Sequence, residues 1–245
     1  MGAISTPFIP EKQVKTVLIS HIEKEGSATL KNLGIATIMT QSSSLFAEPV
    51  AHHPDMQFLH LKENICVVND KKQPFVSSIE NIGFKILEAK NNYSQKYPHD
   101  IGLNCLIIGK TVVGNIAHID ITIKEELSNY NFVHVSQGYT KCSTCIVNED
   151  SLITEDESIY RALKNDFDVL KIESGCVELD GYNYGFFGGC TGLIDKNVLA
   201  INGELKSHKS YKDIAGFLKY RNIDFIELKI GNLKDIGSIL PLEEK

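Results

Sequence analysis

Five short segments of this 245-residue chain repeat one pattern, and the repetition limits the folds open to it more than any single residue does. They begin at His53-Pro54-Asp55-Met56-Gln57, His99-Asp100-Ile101-Gly102-Leu103-Asn104, Gly138-Tyr139-Thr140-Lys141-Cys142-Ser143, Gly181-Tyr182-Asn183-Tyr184-Gly185 and Lys234-Asp235-Ile236-Gly237-Ser238. The first four recur roughly every 40–45 residues and the last after about 50, the spacing of repeated supersecondary units. Asp-Ile-Gly occurs at 100–102 and again at 235–237, and Gly-Tyr opens both the third and the fourth copy. A unit of this size cannot bury its apolar face alone, so the copies must share one core. Function is expected where they converge.

Each unit reads as a helix, a strand and a hairpin. In the fourth, Thr154 and Glu157 form a capping-box pattern ahead of a helical stretch at 158–164. A β-rich run follows at 168–172, and two apolar runs flank the polar turn Asp195-Lys196-Asn197. Similar hairpins turn at Lys62-Glu63-Asn64, Gly109-Lys110 and Asn148-Glu149-Asp150. Thr122 with Glu125 and Ser210 with Asp213 suggest two further caps, while Pro74 and Gly83 suggest a helix start and stop. The expectation is one α/β domain over 1–245, a pseudo-fivefold propeller of five short sheets with helices outside. The motif strands lie innermost and turn their polar residues to a central cavity.

Composition removes several function classes. No run of 18 apolar residues predicts a membrane helix, and residues 1–12 carry no signal-peptide pattern. A net charge of −6 argues against nucleic-acid backbones as partners. Six cysteines without an export signal are expected as reduced thiols in a cytoplasmic protein. There is no phosphate-binding Gly-rich loop and no His/Cys cluster at metal spacing, so neither metal nor cofactor is expected.

The candidate ligand residues come from the repeats. Asp55 and Gln57 would share one strand face and suit a cation or an amide, or else Asp55 serves the His-Pro-Asp turn. Asp100 and Asn104 occupy the matching places in copy two. Lys141 and Ser143 complete the ring from copy three, with Lys141 beside Asp55 or Asp100. Cys142 and Cys145 form a Cys-x-x-Cys, but in a strand-like run rather than at a helix N-terminus or beside a second pair. Cys190, between glycines, reads as an exposed thiol or as a small residue at a tight crossing.

The repeat plan and the closing Ser238-Ile239-Leu240-Pro241-Leu242 resemble the pentein superfamily of guanidine-modifying enzymes, and the run Gly188-Gly189-Cys190-Thr191-Gly192 is similar to one bacterial branch of it. Arginine deiminase, dimethylarginine dimethylaminohydrolase and the amidinotransferases belong to the superfamily, and the likeness is strongest to that bacterial branch, which has no assigned activity. The resemblance implies a C-terminal cysteine nucleophile, a His-x-Asp motif and carboxylates that hold the guanidinium. Anchored on Pro241-Leu242, the cysteine position falls on Gly237 or Ser238, and the His-x-Asp position on Lys141 and Ser143. A literal His-x-Asp, His118-Ile119-Asp120, lies instead at a strand-to-helix corner expected to be solvated. The reading is a protein that binds a small guanidino or amino-acid-like ligand in its axial cavity without Cys–His chemistry. One alternative is an enzyme with a displaced nucleophile, Cys190 or Ser238. Another is a non-catalytic interaction module, as translation initiation factor six is among penteins.

Overall fold

The computed structural model describes residues 2–245. Their strands form five small sheets, one of four strands and four of three. Each blade is an antiparallel pair followed by a helix and a third strand parallel to the second. Blade one runs Phe58–Lys62, Ile65–Val68, helix Phe75–Ile82 and Lys85–Glu88. Blade two runs Leu106–Ile108, Thr111–Gly114, helix Ile121–Glu126 and Asn131–His134. Blade three runs Thr144–Ile146, Ser151–Thr154, helix Glu157–Leu163 and Asp168–Lys171. Blade four runs Thr191–Asp195, Val198–Ile201, helix Tyr211–Tyr220 and Asp224–Glu227.

Blade five joins the two ends of the chain. Leu240–Glu244 pairs antiparallel with Val14–Ser20, which pairs in parallel with Ala36–Thr40 across helix Lys24–Asn32. The ring therefore closes only when the last strand meets the first. The second strands contribute Leu18, Val67, Val112, Ile153 and Leu199 to one buried cluster, so the repeats do share a core. The third strands of blades one to four all have exposed ends and half-buried centres. The polar ends of these strands, charged in blades one, three and four, discourage pairing with other chains.

Local chemistry explains the helix ends, with some corrections. Helix Phe75–Ile82 starts after Pro74 and stops at Gly83, whose φ of 110° suits a residue without Cβ. The expected caps at Thr154 and Thr122 are replaced by Asp156 and Asp120, whose carboxylates accept from Ser158 and Ile159 N–H and from Thr122 N–H. The Thr154 hydroxyl instead donates to the Ser143 carbonyl (2.6 Å) and accepts from Asp156 N–H (3.1 Å), ahead of the helix. Ser210 does stand at a cap, but its hydroxyl accepts from Glu173 N–H instead.

Two further expectations fail for a common reason. Asp55 and Gln57 lie in the helical turn Pro54–Gln57, not on a strand face, because the inner strand begins only at Phe58. Cys142 likewise precedes its strand, which Cys145 enters. The motifs are the loops that lead into the inner strands. Two residues before each inner strand stand Met56, Asn104, Cys142, Gly189 and Ser238. Asn104 Nδ2 reaches Met56 Sδ (3.4 Å) and Cys142 Sγ (3.3 Å), and Ser238 N–H donates to the Gly189 carbonyl (2.7 Å). The centre of the ring is thus a plug of these side chains, and the open space lies above it.

Candidate functional site

A pocket of about 230 Å³ opens where the loops converge. Its floor is His53 from the copy-one loop, Cys142 from copy three and Asp235 from copy five; its walls are Tyr139, Tyr182, Tyr184 and Phe186, with Val50 and Leu179 between them. Phe186 packs tilted against Tyr139 (ring centroids 6.3 Å) and edge-on against Tyr184 (6.2 Å), so three of the four wall rings touch. Tyr139 O–H donates to Asp100 Oδ2 (2.6 Å), which fixes the ring.

Asp235 is held by backbone. Its Oδ2 accepts from Phe186 N–H and its Oδ1 from Gly237 N–H, each at 2.9 Å. Burial raises its pKa to about 6 against the pull of those two bonds. The carboxylate fits because Gly189 has no side chain: a Cβ there would stand 2.0 Å from Asp235 Oδ1. Gly237, at φ 74°, presses against His53, where a Cβ would meet the His53 Cβ at 2.3 Å.

His53 is fully buried, and neither of its ring nitrogens has a hydrogen-bond partner. Burial lowers its pKa to about 4, so the ring is neutral. Its Nδ1 is 3.8 Å from Asp235 Oδ1. Buried polar atoms without partners are uncommon, and here they sit on the floor of a pocket. The best ligand atoms of His53, Cys142 and Asp235 all lie within 4.8 Å of one another.

Beneath the floor runs a polar chain. Cys142 Sγ donates to Asp55 Oδ2 (3.0 Å), Ser238 Oγ donates to the same oxygen (2.7 Å), and Lys141 Nζ donates to Ser238 Oγ (2.9 Å). Burial raises the Asp55 pKa, offset by His53 and Lys141, and burial with the nearby Asp55 and Asp235 raises the Cys142 thiol well above its usual value. Ser238 has a φ of 73°, a strained region for a residue with Cβ, and its hydroxyl also contacts the Gly188 carbonyl (3.1 Å). Lys141 Nζ lies 5.4 Å from the centroid of Phe8, on the side of the plug where the N-terminal segment passes.

The remaining sequence candidates go elsewhere. Gln57 Nε2 donates to the Gln41 and Ala51 carbonyls (2.7 Å each). Asn104 Oδ1 accepts from Lys141 and Cys142 N–H and so shapes the loop that carries Cys142. The Ser143 hydroxyl is buried without a partner, and none of Asp55, Gln57, Asp100, Asn104, Lys141 or Ser143 lines the aromatic pocket. Cys190 is fully buried rather than exposed, its thiol donating to the Phe187 carbonyl (3.1 Å). The His118–Asp120 corner is not solvated at Asp120: this buried carboxylate accepts from Lys90, Asn91 and Thr122 N–H and from Tyr93 O–H. His118 lines a separate hollow with His99. All six cysteines are free, so Cys142 and Cys145 form no disulfide.

Local sequence spacing does not join His53, Cys142 and Asp235, because the three stand far apart along the chain. The signal was present in the repeats, since each of the three stands in a different copy of the pattern.

The fold has clear relatives. An inosamine-phosphate amidinotransferase of Streptomyces griseus superposes with a TM-score of 0.59 at 8% identity, covering 99% of this chain and 97% of that one. A C. jejuni agmatine deiminase, a Cys-to-Ser variant with substrate bound, gives 0.58 at 10% identity, covering 99% and 96%. A Cys-to-Ser variant of dimethylarginine dimethylaminohydrolase from Pseudomonas aeruginosa, complexed with citrulline, gives 0.53 at 9% identity, covering 88% and 92%. These likenesses establish the five-bladed pentein fold. No curated protein matches the chain in sequence. The model of a family of unknown function, DUF6873, matches residues 18–240.

Proposed function

We propose, for a chain that belongs to the DUF6873 family of unknown function and has the pentein fold, that it binds a small organic cation of the guanidinium class and leaves it chemically unchanged. The observation that carries this reading is the aromatic pocket with a single carboxylate, Asp235, among its lining residues. A guanidinium is planar and weakly hydrated. It stacks on tyrosine and phenylalanine faces and donates N–H bonds to a carboxylate. At neutral pH Asp235 is mostly ionised, and its backbone donors hold it in place before a ligand arrives. The neighbours named for amidino transfer, agmatine and dimethylarginine point to the same ligand class.

Binding without turnover follows from the state of the nucleophiles. The Cys142 thiol spends its proton on Asp55 and has a raised pKa, so little thiolate is present. Ser238 Oγ donates to the same Asp55 oxygen, and Cys190 is turned to the Phe187 carbonyl. Either would have to be exposed before it could attack.

The test uses metal-free protein in the presence of a chelator and a panel of arginine, agmatine, methylated arginines and ordinary amino acids. Calorimetry and thermal shift should show saturable binding of one or more guanidino compounds, recovered unchanged by mass spectrometry. Asp235→Asn should lower that affinity at least tenfold, because a neutral amide cannot match the charge. Absence of binding across the guanidino panel, or release of ammonia or citrulline, refutes the reading.

A further inference from the structure

The geometry points to a mononuclear transition-metal site at the floor of the pocket, with His53, Cys142 and Asp235 as three protein ligands of a zinc-class ion and the fourth position open to the pocket. A nitrogen, a sulfur and a carboxylate oxygen lie within 4.8 Å of one another. The His53 Nδ1 to Asp235 Oδ1 distance of 3.8 Å is close to the edge of a tetrahedron with bonds of about 2.0–2.2 Å, roughly 3.4 Å. His53 supplies the independent sign of a missing partner: it is fully buried and both ring nitrogens are unbonded. A buried imidazole ordinarily loses stability in that condition, whereas metal coordination satisfies it.

Outer contacts suit the same role. Asn104 Nδ2 donates to Cys142 Sγ (3.3 Å), as amide donors do to metal-bound thiolates, and two backbone N–H groups orient Asp235. Binding replaces the Cys142 S–H bond by an S–metal bond. The released proton has an acceptor in place, Asp55 Oδ2 at 3.0 Å. The mixed soft and borderline donor set favours Zn²⁺ or Co²⁺ over Mg²⁺ and Ca²⁺, which require oxygen ligands. The ligands come from the loops into blades one, three and five, so an ion would also tie the ring across its axis.

This inference does not depend on the organic-cation reading. The ion would take Asp235, so metal and guanidinium exclude each other, and the chelator in the earlier test separates the two outcomes.

Metal-free protein is titrated with Co²⁺ alone. The expected result is one ion per chain, with a thiolate-to-cobalt charge-transfer band and the strong visible bands of four-coordinate cobalt, displaced by Zn²⁺. Cys142→Ser should abolish the charge-transfer band, and His53→Gln and Asp235→Asn should weaken binding at least 100-fold. Cys176→Ser, at the half-exposed cysteine outside the site, should change nothing. Because a floor variant can fail to fold, the unmodified protein provides a second measurement. Zinc-edge X-ray absorption of the Zn²⁺-loaded unmodified protein should show one sulfur ligand at about 2.3 Å. No charge-transfer band, a band that survives in a folded Cys142→Ser variant, or a zinc shell without sulfur overturns the assignment.

Discussion

Replacing Glu155 by glutamine should stabilise the protein at neutral and alkaline pH, by an amount that grows with pH. Glu155 follows the second strand of blade three, and its Oε1 accepts from Phe187 N–H (3.1 Å) in the loop that carries the pocket wall. Its Oε2 is buried without a partner. Burial raises its pKa from 4.5 to about 8, opposed by backbone bonds at Glu155 and Phe187. A carboxyl whose folded value lies above its unfolded value stabilises the fold fully below pH 4.5 and loses that contribution as pH rises through about 8. At about 1.4 kcal/mol per pH unit, keeping the group neutral while the unfolded chain ionises costs about 1 kcal/mol at pH 5, about 3 at pH 7 and about 5 at pH 9. Glutamine keeps the acceptor for Phe187 N–H and has no charge to lose. Its own unpartnered N–H adds a cost of about 1–3 kcal/mol, but one that does not vary with pH. The measurement is urea unfolding of both proteins at pH 5, 7 and 9, followed by far-ultraviolet circular dichroism because the chain has no tryptophan. The variant should gain about 2.5 kcal/mol on the parent between pH 5 and 7, and about 1.5 kcal/mol more by pH 9, where the buried carboxyl itself ionises. Two curves that stay parallel within about 1 kcal/mol across this range would show that Glu155 ionises freely and that the burial argument is wrong.

Three other perturbations test the frame. Gly192→Ala places a Cβ 1.8 Å from the Ile239 carbonyl oxygen, where blades four and five meet, and should cost more than about 4 kcal/mol or prevent soluble expression; an unchanged melting temperature would contradict it. Asp120→Ala leaves Lys90, Asn91 and Thr122 N–H and Tyr93 O–H without their acceptor and should lose about 3–5 kcal/mol in chemical denaturation. His60 donates from Nε2 to the Glu63 carbonyl (2.6 Å), and burial lowers its pKa from 6.5 to about 4. A base with a depressed folded pKa contributes stability above pH 6.5 that is lost as pH falls through about 4, so His60→Gln should remove about 3 kcal/mol of the parent's acid sensitivity between those limits.

The architecture was legible because it is written in the spacing of segments, and spacing survives where side-chain detail does not. The hairpin turns at Lys62-Glu63-Asn64 and Asp195-Lys196-Asn197 lie where polar residues interrupt apolar runs, and tertiary packing had no reason to move them. The Pro74 and Gly83 limits held because both residues act through their own backbone. Asp55 and Gln57 were harder, since the Pro54–Gln57 turn is too short to show a period and takes its shape from contacts such as Asp55 N–H to the Gly237 carbonyl (3.2 Å). The pocket was only half visible. Gly138-Tyr139 and Gly181-Tyr182 announced themselves as motif starts, and both tyrosines are wall residues. Which residue of each copy faces the pocket depends on how the loops fold over the plug. No rule of alternation reaches that far.

The depth of Ser238 leads to a last prediction, about what a cysteine there would not do. The pentein resemblance sets the nucleophile position at Gly237 or Ser238, so Ser238→Cys looks like a restoration. Lys141 Nζ, 2.9 Å from Ser238 Oγ, would even favour a thiolate at that place. Yet Ser238 is fully buried and absent from the pocket lining, and its hydroxyl is bonded to Asp55, which in turn holds Cys142 of the floor. A reacting carbon must come within about 3–3.5 Å of the attacking atom, and no such approach is open. The added sulfur volume should cost about 1–3 kcal/mol, and the variant should release neither ammonia nor citrulline from arginine or agmatine. Its new thiol should also react with iodoacetamide more slowly than Cys176. Measurable turnover by Ser238→Cys would mean that the plug opens in solution, and that one atom, rather than the closed floor, separates this protein from hydrolysis.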